Sequence, residues 1–254
     1  MISKSLLKQI KSLEQRKFRK ETGLFVAEGG KTVQDLLDLG IEATSIIATE
    51  EWLKSHKLNT RTAIIIAGEE EMKKASFLRT PQGVLAVFKQ QFHKTDLTAP
   101  ERELCLALDN VQDPGNMGTI IRIADWFGIK NIYCSNGTVD IYNPKTVQAT
   151  MGALARVRLH YVDLPEVLNE LNTSGLPVYG TLLDGKNMYE KDAIHSKQSG
   201  VIVMGNEGNG ISQAVRKQVS HPLYIPSYPA GVATSESLNV GIATAIVLSE
   251  FRRN

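Results

Sequence analysis

The sequence predicts an α/β protein in two parts, a larger, mainly parallel sheet with helices on both faces preceded by a smaller α/β unit. Three observations lead there. Short apolar runs alternate with helix-period stretches along the chain. From Leu104 onward the runs are continuous rather than alternating, as strands covered on both faces are. A polar, charged stretch with Pro100 near its end separates the parts. The expected boundaries are therefore 1–92 for the small unit, 93–103 for a linker and 104–254 for the large one, and 254 residues suffice for that division.

Residues 2–20 read as a helix ending before Thr22-Gly23, and Leu24-Phe25-Val26 as a short strand. After the turn Glu28-Gly29-Gly30, residues 31–39 form a helix closed by Gly40. Runs from Thr44 to Ala48 and Thr62 to Ala67 are strands with a short helix between them, and Gly83 to Phe88 is another strand. In the second part, strand Leu104 to Leu108 is followed by a helix from about Asn116 to Phe127, stopped by Gly128. Strand 131–134 follows, then a helix opened by Pro144 and running through Leu154. Strand 156–162 and helix 165–171 lead to strands 178–182 and 201–204. Helix 212–219, strand 223–225 and helix 237–251 complete the chain.

The net charge of +2 points to no partner, but its distribution does. Residues 1–100 hold 16 Lys/Arg and 12 Asp/Glu, residues 101–254 hold 13 and 15, so the halves carry +4 and −2. Lys4, Lys8, Lys11, Arg16, Lys17, Arg19 and Lys20 stand against Glu14 alone in the first twenty residues. Such a helix either meets a phosphate backbone or is a solvated face. Cys105 and Cys134 each sit in an apolar run and read as buried thiols, with no disulfide framework. No apolar stretch is long enough to span a bilayer and no hydrophobic signal region opens the chain, so the cytoplasm is the expected location.

Three loops between a strand and a helix concentrate the residues that chemistry uses. The first runs from Asp109 to Gly118. There Pro114-Gly115 forces a turn and Asn116 is placed to cap the next helix. Arg122, in an otherwise apolar helix beside Ile120, Ile121 and Ile123, either holds a partner or ligand or reaches solvent along its stem. The second loop, Gly205-Asn206-Glu207-Gly208-Asn209-Gly210, has the glycines that close approach to a ligand needs. Glu207 alternatively serves as an anion at a helix start. It is not a dinucleotide fingerprint, because no G-x-G-x-x-G follows the first strand of this part and no P-loop Lys follows the glycines. The third loop, from Pro226 to Glu236, precedes Ser237-Leu238-Asn239, where Ser237 is the expected helix cap and Asn239 sits in the first turn. Histidines at 56, 93, 160, 195 and 221 are scattered, with no H-E-x-x-H pair, no metal-ligand cluster and no G-x-S-x-G elbow.

Together the loops resemble the SpoU, or TrmH, family of RNA ribose methyltransferases. Asn116-Met117-Gly118-Thr119-Ile120-Ile121-Arg122 is similar to its first motif, Gly205 to Gly210 to its second, and Ile225-Pro226 with Ser237-Leu238-Asn239-Val240 to its third. Thr150-Met151-Gly152-Ala153-Leu154 matches a stretch between the first two. Arg16-Lys17-Phe18-Arg19 and Phe25-Val26-Ala27-Glu28-Gly29 resemble the small L30e-like substrate-binding domain often fused to these enzymes. One departure is the long loop after Ile225-Pro226, where Ser227 replaces the usual Met and Tyr228-Pro229-Ala230-Gly231 and Thr234 fill the extra length.

The resemblance implies a trefoil-knotted C-terminal domain, a homodimer, and methyl transfer from S-adenosylmethionine to a ribose 2′-hydroxyl of structured RNA, ribosomal or transfer, without metal or membrane. It implies catalytic roles for Arg122, Asn116, Glu207, Ser237 and Asn239. The cofactor would meet Thr181, Leu182, Gly205, Asn206, Gly208, Ile225, Ser237 and Leu238, and RNA would meet Arg16, Lys17, Arg19 and Arg122. A non-catalytic RNA-binding protein of this fold, or a methyltransferase for a base atom, are the alternatives; a nucleotide enzyme of Rossmann type lacks its fingerprint.

Overall fold

A computed structural model describes all residues except 195–197, 230, 233 and 254. The elements run α1 (Lys4–Ser12), α2 (Arg16–Thr22), β1 (Leu24–Glu28), α3 (Gly30–Asp38), β2 (Ala43–Thr49), α4 (Glu50–Ser55), β3 (Ile64–Ala67), α5 (Glu69–Ala75) and β4 (Val84–Lys89). They continue α6 (Ala99–Arg102), β5 (Leu104–Leu108), α7 (Pro114–Trp126), β6 (Asn131–Ser135), α8 (Pro144–Thr150) and β7 (Arg158–Val162). The last are α9 (Leu164–Thr173), β8 (Val178–Asn187), β9 (Gly200–Met204), α10 (Gln213–Arg216), β10 (His221–Tyr224) and α11 (Val240–Arg252).

Two compact units result. The first comprises Met1–Phe92 together with Asp140–Ala155, the second His93–Val139 with Arg156–Asn254. The expected boundary thus acquires an insertion, because the segment carrying α8 leaves the second unit between β6 and β7 and packs on β1 of the first. The stretch 93–103, expected as a linker, opens the second unit. It carries α6, and Tyr133 donates its hydroxyl proton to the Asp96 carbonyl.

The first unit is a four-stranded sheet in the order β1-β4-β2-β3, antiparallel except for the β2–β3 pair. Ile10, Leu13, Val26, Ile47, Met72, Leu85 and Val87 form its core. The single helix expected over 2–20 is two. It breaks after Ser12 because Leu13 turns fully inward and the carbonyls of Leu13 and Glu14 are taken by the Arg19 guanidinium, at 2.8 and 2.7 Å. Arg19 also donates to Asp140 Oδ2 from Nε at 2.9 Å and from Nη2 at 2.8 Å. At 2 % exposure it cannot face RNA, which corrects the expectation placed on it. The second helix ends where Gly23 takes the left-handed conformation that the sequence signalled. Helix α5, not anticipated, has three glutamates in its first turn and Lys73 and Lys74 in its last, a polarity that favours a helix.

The second unit is a six-stranded sheet in the order β10-β8-β9-β5-β6-β7 in which every pair is parallel. This meets the expectation of a parallel sheet. Cys105, Ala107, Tyr133, Leu168, Val178, Val201 and Val203 are among its buried core. The order places β5 and β9 side by side at the centre, so the loops leaving their carboxyl ends meet, as ligand sites in such sheets require. From β10 at the edge the chain returns to α11, which packs on α7.

A cavity built by three loops at the carboxyl edge of the sheet

Strand β5 is wholly buried and delivers the chain to Asp113, which caps α7 by accepting from Asn116 N at 2.8 Å. Pro114 stands at the first helical position, where a missing N–H costs nothing. Asn116, expected as the cap, is therefore in the first turn, and its amide is free to reach other loops. Helix α11 begins later than expected. Its cap is Asn239, not Ser237, with Asn239 Oδ1 accepting from Gly241 N at 2.9 Å and Ile242 N at 3.3 Å.

These two shifts connect the motifs. With Asn239 Oδ1 committed to the helix, its Nδ2 donates to Asn116 Oδ1 at 2.8 Å. Asn116 Nδ2 in turn donates to Glu207 Oε1 at 3.0 Å, an oxygen that also lies 3.4 Å from Asp113 N. The orientation of each amide follows from the previous one, so the relay runs in a single sense from the α11 cap to the carboxylate. Within the second loop, Asn206 and Gly210 pair their backbones at 2.9 and 3.0 Å. A Cβ on Gly205 would collide with Gly210 C and Ile211 N, so backbone alone forms this part of the wall.

The loop after β9, the middle of β8 and residues 223–228 and 234–238 enclose a cavity of about 610 Å³. That lies within the roughly 300–1,000 Å³ of small-molecule sites. Thr181, Leu182, Gly205, Asn206, Gly208, Ile225, Ser237 and Leu238, the eight residues expected around a cofactor, all line it, and so does Glu207. The sequence did not single out Met204 or Leu223, which also contribute, as does Tyr228 of the long loop. Tyr228, in the long departing loop, is 95 % exposed, and Ala230 of that loop lies outside the described residues. Asn116 and Asn239 reach the cavity through Glu207. Arg122 is exposed on α7 and, among the described residues, makes no hydrogen bond to the other four. In the first unit, Arg16 and Lys17 are exposed at the start of α2. Among the described residues there is no His/Cys/Asp/Glu cluster suited to a metal, and no helix is long and apolar enough to cross a membrane.

The geometry can be set beside known proteins. The model of the SpoU rRNA methylase family matches residues 103–249, more than half the chain. The chain belongs to this family. The SpoU fold accounts for the second unit, while residues 4–86 match a substrate-binding domain of the MRM3-like type. Across 97 % of this chain and 95 % of the relative, 32 % of residues are identical to the 23S rRNA (guanosine(2553)-2′-O)-methyltransferase RlmP of Bacillus subtilis. A solved TrmH-family structure from Porphyromonas gingivalis superposes with a TM-score of 0.86 at 38 % identity, covering 99 % of this chain and 98 % of that one. An AdoMet-bound rRNA methyltransferase from Sinorhizobium meliloti gives 0.83 at 30 %, covering 99 % and 96 %.

Proposed function

We propose that this SpoU-family chain transfers a methyl group from S-adenosylmethionine to the 2′-hydroxyl of a ribose in structured RNA. The observation that carries it is the cavity, lined by all eight residues expected around the cofactor and joined through Glu207 to Asn116 and Asn239. Its backbone-built wall at Gly205 suits a cofactor held largely by main-chain groups. S-adenosylmethionine supplies an electrophilic methyl on a sulfonium, so the protein needs only to hold the two reacting atoms in line and assist the hydroxyl.

Arg122 acts by charge, holding the phosphate beside the target ribose and stabilising the developing alkoxide. Glu207 presents one oxygen to the relay and keeps Oε2 for the site, where it can accept the hydroxyl proton. Ser237 orients the ribose or the cofactor from the cavity wall. Arg16 and Lys17 grip RNA phosphates from the first unit, and their exposure supports this.

The active form is a homodimer. Trp126 on α7 is 85 % exposed and Ile242 on the adjoining α11 is 53 % exposed, an apolar surface suited to a second copy. The protein works in the cytoplasm, where free thiols such as Cys105 and Cys134 persist.

The test is incubation with labelled S-adenosylmethionine and unmodified ribosomal and transfer RNA, followed by nucleoside analysis. A 2′-O-methyl nucleoside is expected. Label in a base would make this a base methyltransferase, and cofactor-independent RNA binding without transfer would make it a binding protein.

A further inference from the structure

Asp109 is 2 % exposed and, among the described residues, has no ion-pair partner. A buried carboxylate in that position must be satisfied by hydrogen-bond donors. Its two oxygens take one each: Ser212 N donates to Oδ2 at 2.7 Å and Asn110 Nδ2 to Oδ1 at 2.9 Å. Among the described residues Asn110 is one of two non-glycine residues with positive φ, at 56°. It is held there by Ser135, whose Oγ accepts from Asn110 N at 2.9 Å. Gly137 makes this possible, since a Cβ there would strike Asn110 Oδ1. In this conformation the Asn110 carbonyl accepts from Asn206 Nδ2 at 2.7 Å. Asn206 Oδ1 then accepts from Gly208 N at 2.9 Å and Asn209 N at 3.0 Å, folding the glycine loop.

The two residues that follow β5 thus grip the loop after β9 at both ends, at Asn206 and at Ser212. Glu207 and the backbone wall of the cavity lie between these points. We propose that Asp109 and Asn110 are positioning residues that clasp this loop in its ligand-ready shape and thereby set affinity for the methyl donor. The proposal rests on the assignment of the cavity to S-adenosylmethionine. Neither residue lines the cavity, so each acts through the loop. A non-glycine residue is kept in the left-handed region because its side chain is needed to reach Asp109 and Ser135; glycine would supply the turn but not the links.

The experiment measures S-adenosylmethionine binding by calorimetry on the full chain, with amide hydrogen exchange of the ligand-free protein. Asp109→Ala leaves the part-buried Ser212 N and Asn110 Nδ2 donors without their acceptor, and Kd is expected to rise about tenfold or more. Exchange at Ser212 N should accelerate while Leu106 in β5 stays protected. Asp109→Asn should recover binding to within about threefold, because the Asn110 amide can turn over and Ser135 can accept as well as donate. In turnover, KM for the donor should rise more than kcat falls.

If Asp109→Ala fails to fold, Asn110→Ala, at a half-exposed site, carries the test through weaker binding and faster exchange at Gly208 and Asn209. A folded variant with Kd within about twofold of wild type and unchanged loop exchange would overturn the clasp. If the wild type itself binds no S-adenosylmethionine, the cofactor assignment fails instead. The exchange data then decide the clasp alone: acceleration confined to the loop upholds it, and its absence overturns it.

Discussion

Removing Asp140 should cost the first unit more stability than any surface ion pair could. The Arg19 guanidinium is 2 % exposed and makes four hydrogen bonds, two to Asp140 Oδ2 and one each to the carbonyls of Leu13 and Glu14. In Asp140→Ala the last two survive, but the Nε and Nη2 donors are left with no acceptor. Breaking a buried pair from one side costs about 3–5 kcal/mol, mostly because the remaining charge is stranded. The converse, Arg19→Met, should cost less, about 2–3 kcal/mol. The Asp140 side chain is 14 % exposed, and its Oδ1 still accepts from Tyr142 N at 3.0 Å. The double variant Arg19→Met/Asp140→Leu should recover part of the loss. The protein offers a convenient reporter, since its two tryptophans fall one in each unit, Trp52 in the first and Trp126 in the second. In a Trp126→Phe background, urea unfolding followed by Trp52 emission reads the first unit. A loss below about 1 kcal/mol for Asp140→Ala, the range of exposed pairs, would refute the reasoning.

Three further outcomes are expected. Replacing Arg16 and Lys17 by alanine should weaken RNA binding and reduce the log–log salt slope by about 0.7–0.9 for each phosphate no longer neutralised. An unchanged slope would remove them from the interface. Arg122→Ala should lower kcat by about 10²–10³ with donor affinity retained, the loss typical of one transition-state electrostatic interaction; near-normal turnover would dismiss its role. His160 is buried, its Nε2 2.8 Å from Asn131 Oδ1 and its Nδ1 without a hydrogen-bond partner among the described residues. Burial, then the nearby His93 and Arg158 charges, hold its pKa below the ordinary value. The unfolded chain therefore binds the proton first, so this contribution to stability is complete above pH of about 6.5 and is lost as pH falls through the folded value, at up to about 1.4 kcal/mol per pH unit. Denaturation of wild type and His160→Gln between pH 7.5 and 5, read through Trp126, should show the steeper acid decline in wild type; parallel curves would contradict it.

The sheet of the second unit was legible because strands buried on both faces leave unbroken apolar runs, and β5, β6 and β9 are such runs. The cavity residues were legible through motif resemblance and not through periodicity. What escaped were decisions made by distant partners. Asn239 takes the α11 cap from Ser237 because its amide can at once bind the helix and reach Asn116, 123 positions away. The break between α1 and α2 depends on Arg19 turning inward, which local helix preference does not encode. A basic run looks the same in sequence whether its members face water, as Arg16 and Lys17 do, or a buried aspartate, as Arg19 does.

The insertion of residues 140–155 into the first unit has a consequence for how the protein is made. When a ribosome has released only the first 92 residues, the nascent chain has β1–β4 but neither α8, which covers β1, nor the acceptor that Arg19 requires. The usual order, in which an N-terminal domain finishes before the next emerges, is closed to it. The first unit can reach its final packing only after β5, α7 and β6 have been synthesised, so its completion waits on the leading part of the second.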